Sequence, residues 1–274
     1  MTLLSVVKDV CAAVGVIQPV SIFSGITGNR TMQEMLSLAN EMAQRIAYDG
    51  RDWTKLRATA VMTGDGVLTD EGWVGTTAFS LPANYKRMLL NSNVWRSTSS
   101  QTPMRFISDT EEWMHRRAGW SDDSSGEWTM YGGKIHIYPV MSAFVPAVPA
   151  VPEDIGPPYV PAQPARPAVA ATTAYFAYLD KNCIDLAGGG RGDVFQTDLD
   201  TFTLDERVLK LGMIAQWKAQ KGSPYAEDMG TFGDALTMAS GHDSPAPIII
   251  GRGTRGGRVA IPTQTLYFPG GGTP

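Results

Sequence analysis

Three histidines, two cysteines and one adjacent glutamate pair are the side chains of this 274-residue sequence considered for proton transfer or nucleophilic attack. His115 falls in a charged stretch that reads as helix. His136 alternates with Ile135 and Ile137 as on a strand, and His242 stands at a helix end. None sits in a G-x-S-x-G or H-E-x-x-H context, so no base is aligned with a nucleophile or a metal. Glu111 and Glu112 are neighbours on a helical pattern and point in different directions, which suits a solvated face better than a shared acid site. Cys11 and Cys183 have neither metal-type spacing nor a disulfide framework around them. Gly188-Gly189-Gly190-Arg191-Gly192 lacks the Lys-Ser/Thr of a phosphate loop and reads as a flexible connection. Arg191-Gly192-Asp193 matches an adhesion tripeptide too short to carry meaning without context. The expectation is a chain that is not an enzyme, with no catalytic residue, cofactor or metal.

Residues suited to holding a partner are easier to find. Residues 242–274 are rich in Gly and Pro and carry two apolar knots, Ile248-Ile249-Ile250 and Leu266-Tyr267-Phe268, with Arg252, Arg255 and Arg258 between them. Such a segment cannot build a core alone, yet it can add to a sheet edge while its side chains fill pockets and its arginines meet acids. Ile248, Ile249, Ile250, Arg252, Arg255, Arg258, Tyr267 and Phe268 are therefore the candidate partner-binding residues. The seven tryptophans are spread along the chain, as expected for core and interface packing and not for a base-stacking platform.

The elements that would position these residues read as α+β. Leu3, Leu4, Val7, Val10, Cys11 and Val14 share a helical face, and Gly15 and Pro19 end it. Thr31-x-x-Glu34 reads as a capping box before Met32, Met35, Leu36, Ala39, Met42, Ala43 and Ile46, with Gly50 at the C-terminal position. Ala58 to Thr63 and Thr76 to Leu81 read as strands around the turn Gly64-Asp65-Gly66, and Tyr85 to Leu90 as a helical turn or a strand. A short helix is expected over 105–118, capped by Ser108 or Asp109. Gly132-Gly133 marks a hairpin between Trp128–Tyr131 and Lys134–Tyr138.

Nine of the eighteen prolines lie in 139–167. Without N–H donors that stretch should be extended chain, a long insertion in a hairpin whose next strand is Ala174 to Leu179. Thr203-x-x-Glu206 reads as a second capping box. The helix after it should place Leu204, Val208, Leu211 and Ala215 against Met35, Ala39, Met42 and Ile46, and stop at Gly222. Tyr225, Met229, Phe232, Leu236 and Ala239 make a last amphipathic helix ending at Gly241. The organisation expected is a helical bundle from 1–56 and 200–241, a β-rich insertion over 57–199 containing the Pro-rich loop 139–171, and an extended C-terminal arm over 242–274.

Composition narrows the function classes. Apolar residues make up 43% of the chain, enough for a sizeable core, and charged residues only 18%, below the roughly 25% of an average soluble domain. The net charge of −4 is unsuited to gripping nucleic acid by phosphate neutralisation. Residues 242–274 nevertheless lean basic against an acidic remainder, which suits a protein that lets DNA pass without specific binding. The first residues lack a basic region before an apolar stretch, so no signal peptide is expected, and no apolar run reaches membrane-spanning length.

The order of motifs resembles the head-to-tail adaptor (connector) family of tailed bacteriophages. The resemblance is carried by a helical pair ending in Trp53, Phe79-x-Leu81-Pro82-x-x-Tyr85-x-Arg87, Gly133-x-Ile135-x-Ile137-x-Pro139, Tyr178, and Leu204-Asp205-Glu206 through Trp217-Lys218 to Gly222-x-x-Tyr225. It covers residues 1–241, apart from the Pro-rich insertion. It implies a virion protein, made in the host cytoplasm, that forms a homo-oligomeric, dodecameric ring. A C-terminal segment would reach the portal protein, the other face would receive the tail or nozzle protein, and DNA would pass through. The insertion over 139–171 and the tail after 241 depart from the family's compact pattern. Other readings are a tail completion or nozzle protein, and a virion-associated wall hydrolase acting through Glu111 or Glu112.

Overall fold

The computed structural model describes residues 1–24, 29–49, 51–70, 72–90, 92–98, 102–117, 126–147, 149 and 165–243. Its first element, α1 (Leu3–Val14), starts at Thr2, whose hydroxyl accepts from the Ser5 N–H, and stops at Gly15 in the left-handed conformation (φ 74°). α2 spans Arg30–Tyr48. Its cap is Asn29, whose side chain accepts from the N–H groups of Thr31 and Met32, and not the expected Thr31. Glu34, freed from a capping role, pairs instead with Arg30 (2.9 Å) and with Lys221 (2.7 Å). The expected terminal Gly50 lies outside the described residues.

A 3-10 turn (Thr54–Leu56) leads into β1 (Arg57–Thr63). There follow β2 (Val67–Thr69), β3 (Gly72–Val74), β4 (Ala78–Ser80), β5 (Tyr85–Met88), β6 (Trp95–Arg96), β7 (Arg105–Phe106) and α3 (Thr110–Arg117). The Asp109 carboxylate accepts from the Glu111 N–H, which makes it the α3 cap. β8 (Glu127–Tyr131) and β9 (Lys134–Tyr138) form the expected hairpin, with Gly132 (φ 59°) and Gly133 (φ 70°) supplying the positive φ of its two-residue turn. The chain closes with β10 (Thr173–Asp180), β11 (Ile184–Asp185), β12 (Arg191–Gly192), β13 (Thr201–Phe202), α4 (Glu206–Gln220) and α5 (Ala226–Asp243).

Strand pairing differs from the nearest-neighbour reading. β1 does not pair with the strand after the Gly64–Gly66 turn; it pairs antiparallel along its whole length with β10, more than a hundred residues away. β5 and β6 also pair with β10, while β4, β9, β8 and β7 make a second sheet and β11, β12 and β13 a third. The Pro-rich stretch therefore joins two sheets and does not interrupt a hairpin. Its described limbs meet each other, with Val145 and Val169 exchanging backbone hydrogen bonds of 3.0 and 2.9 Å. Residues 151–164 lie outside the described set.

Two apolar clusters organise Met1–Ser244. One gathers α1, α2, α4 and Ala235 of α5 with Trp53, Leu56, Leu179, Ile184, Phe195 and Phe202. The other lies within the β-rich part, around Met62, Ile135, Ile137, Met141, Phe176 and Tyr178. α4 crosses the neighbouring helices at Gly212, where a Cβ would stand 2.6 Å from Met42 Cε and 2.9 Å from Phe232. Thr203 does not cap α4: its N–H bonds the Cys183 carbonyl, which keeps it extended beside β13, and Asp205 caps instead. Val208 and Ala215 are buried as expected and Leu204 lies before the helix, but Leu211 is only partly buried. The inward positions also include Leu209, Met213 and Trp217. Met213→Ala is expected to cost about 2–5 kcal/mol and Leu211→Ala under about 1.5 kcal/mol. Denaturant unfolding of the two variants checks this; a larger loss at Leu211 would reverse the assignment. α5 continues through Gly241 to Asp243, whose carboxylate accepts from the Thr54 N–H (2.7 Å).

Candidate assembly surface

The three histidines weighed for chemistry lie on different elements: His115 on α3, His136 on β9 and His242 in the last turn of α5. Glu112 is drawn into contacts with Arg105 (3.8 Å) and Arg116 (2.9 Å). Among the described residues no group of three His, Cys, Asp or Glu side chains could hold a metal ion. Cys11 and Cys183 are buried free thiols, and burial raises both pKa values. The glycine run leads into a strand and not into a helix N-terminus. Arg191 of the adhesion-like tripeptide is held by Asp185 (3.0 Å) and by the Lys55 carbonyl (3.2 Å). Trp53, Trp113, Trp128 and Trp217 are core residues, and Trp95 is partly buried.

α3 covers a polar patch on the β8–β9 hairpin. Glu127, Thr129 and His136 are all buried there, with Trp113 above them and Arg116 reaching Glu127 Oε1 at 2.5 Å. The His136 ring stacks on Tyr131 (centroids 3.7 Å apart) and meets Trp113 edge-on, and its Nδ1 has no partner among the described residues. Burial holds its pKa below the ordinary imidazole range; the Tyr131 backbone hydrogen bond opposes this, and Arg117 and Lys134 add to it. The unfolded chain therefore binds this proton more readily than the folded one. The associated stability is fully present above the unfolded value of about 6.5 and is lost as pH falls through it towards the lower folded value. His136→Phe keeps the stack and should flatten the fall in unfolding free energy between about pH 7 and about pH 5. Equal slopes for both proteins would contradict this.

The residues nominated for partner binding, Ile248, Ile249, Ile250, Arg252, Arg255, Arg258, Tyr267 and Phe268, lie outside the described residues. The structure brings forward other surfaces. Among the described residues β2 and β3 pair only with each other, and Val67, Leu68 and Val74 on this ribbon are each about 60% exposed. Phe144, Val145 and Val169, at the base of the Pro-rich arm, are at least half exposed. A two-stranded ribbon is marginal by itself, and exposed apolar groups of this size mark contact surfaces.

Ribbon and arm share one root. The Gly66 N–H donates to the Met141 carbonyl and the Ala143 N–H to the Gly66 carbonyl, both at 2.8 Å. Asp65 accepts from the Thr76 N–H (2.7 Å) and hydroxyl (2.5 Å). A Cβ at Gly64 would stand 2.4 Å from the Met141 carbonyl oxygen, so only glycine allows this approach. Val67-Leu68 and Trp73-Val74 around Asp70-Glu71-Gly72 are the local signal for a hairpin here.

The sequence matches no protein-family model and shows no significant similarity to a curated protein. Among the described residues no helix is long and apolar enough to cross a membrane.

Proposed function

We propose that this protein is a head-to-tail adaptor of a tailed bacteriophage, one copy in a ring between the portal and the tail or nozzle. The reading takes the four longer helices as a bundle that carries the β-rich part as an insertion. The observation behind it is how the motifs of the resemblance meet in space. Phe79 lies opposite Ile135 in the sheet, and Phe79, Leu81 and Tyr85 pack on the cluster of Ile135, Ile137 and Tyr178. The Tyr85 and Tyr178 rings are 5.7 Å apart, and Arg87 pairs with Asp52 just before Trp53. Segments scattered through the sequence thus share one framework, as residues that define a fold should. The exposed apolar ribbon and arm supply sticky faces, which a ring built from identical, head-to-tail contacts requires.

In this reading residues 245–274 dock on the portal through Ile248–Ile250 and the three arginines. Asp243 bonds Thr54, so the informative truncation is after Ser244 and not after Gly241. The truncated subunit should unfold like the full chain yet fail to join portal-bearing heads to tails. Normal joining would overturn the docking role of the tail. A wall hydrolase remains the competing class, and clearing of cell-wall substrate by the purified chain, abolished by Glu111→Gln or Glu112→Gln, would replace the adaptor reading.

A further inference from the structure

Among the described residues β1, a seven-residue strand, is paired on one side only, with β10. Natural sheets protect such an edge with proline, lysine, a bulge or brevity. β1 has none of these: its register with β10 is unbroken, and its single charge is Arg57 at the start. Its exposed side includes Val61, which lies opposite Tyr175, itself opposite Trp95, so one apolar row crosses the outer face of this sheet. The β2–β3 ribbon likewise has no further strand beside it among the described residues.

The ribbon follows β1 after only three residues, Gly64, Asp65 and Gly66. Those three are clamped to Met141, Ala143 and Thr76 in the geometry that makes the ribbon project. Folding back onto its own β1 would break that root, so within one copy the ribbon cannot cover the β1 edge. A second copy can. The charges agree with this pairing: residues 64–76 carry Asp65, Asp70 and Glu71 and no basic residue, whereas β1 begins beside Lys55 with Arg57. Arg57 contacts a backbone carbonyl, that of Asp52.

We propose that the β2–β3 ribbon of one copy adds to the open β1 edge of the next, its acidic tip towards Arg57 and Lys55, giving a sheet that crosses the subunit boundary. The contact is head-to-tail, since ribbon and edge are different surfaces, and repetition closes a ring when the rotation permits. Main-chain pairing would supply affinity, and the Val61–Tyr175 row with Val67, Leu68 and Val74 would supply the buried apolar area. This rests on the ring reading above and names the surface that builds it.

The test uses the full chain carrying Thr59→Cys on β1 and Leu68→Cys on the ribbon, both exposed positions, while the native cysteines stay buried. Mild oxidation, of the chain alone and on portal-bearing heads, should give a ladder of covalent oligomers. The pair Thr59→Cys with Met238→Cys on α5 should give none. Independently, Arg57→Glu and Asp70→Arg should each raise the concentration for half-assembly about fivefold, and together restore it. Oligomers that form without the ladder and ignore the charge reversals overturn this contact and leave the ring standing. A chain that stays monomeric in both settings overturns the contact and the ring together.

Discussion

Trp53→Ala should lower the unfolding free energy by about 3–5 kcal/mol, the range for removing a buried tryptophan. Trp53 is 3% exposed and belongs to the cluster that holds the helices together. Its indole N–H donates to the Ile46 carbonyl at 2.8 Å. α2 ends at Tyr48, so that carbonyl is among the last-turn groups without a partner within the helix. The side chain thereby does two things: it fills volume beside Leu56, and it satisfies the helix end from which β1 departs. Trp53→Phe separates the two, keeping most of the packing while leaving the carbonyl unpaired, at about 1–2 kcal/mol. Denaturant titration of both variants is the measurement. Equal losses would show that packing around the ring contributes little and that the hydrogen bond carries the effect.

Which parts of the fold could be read from residues follows from how local their causes are. α1 and α2 announce themselves because apolar side chains at helical spacing must face one core, and the β8–β9 hairpin because Gly132-Gly133 permits one kind of turn. The capping residues were misplaced by the same locality. Thr31 and Thr203 match a short pattern, but Asn29 and Asp205 are equally good caps, and tertiary pairing with Cys183 removes Thr203 from contention. Long-range pairing left no local trace: β1 has its partner in β10, beyond the whole Pro-rich insertion, and nothing in Ala58–Thr63 specifies that choice. Of the face expected for the last helix, Phe232, Leu236 and Ala239 do pack on the helical core cluster. Tyr225 and Met229 remain exposed, and of α5 only Ala235 is buried. For the candidate surface, composition pointed to the tail, whereas the exposed ribbon emerged only once its lack of neighbours was visible.

Arg116→Met should be among the most damaging single changes in the β-rich part, although Arg116 is partly exposed. The reason lies beneath it. Glu127 is fully buried on β8; its Oε1 meets Arg116 Nη1 at 2.5 Å, and its Oε2 has no partner among the described residues. Arg116 also holds Glu112 on its own helix at 2.9 Å, so one guanidinium fastens α3 to the sheet and supports a carboxylate that water does not reach. Removing it strands that charge. A buried carboxylate left without its cation is strongly destabilising. Making the site apolar on both sides, Arg116→Met with Glu127→Leu, removes the charge that has to be compensated and should recover most of the stability, since such replacements of buried pairs are often neutral. Glu127→Leu alone leaves Arg116 with Glu112 and an open path to solvent, and should cost less than Arg116→Met. The order of unfolding midpoints is then wild type near the double variant, Glu127→Leu below them and Arg116→Met lowest. A double variant no more stable than Arg116→Met would show that α3 is held by the arginine's packing on Trp113 and β8, and not by its charge.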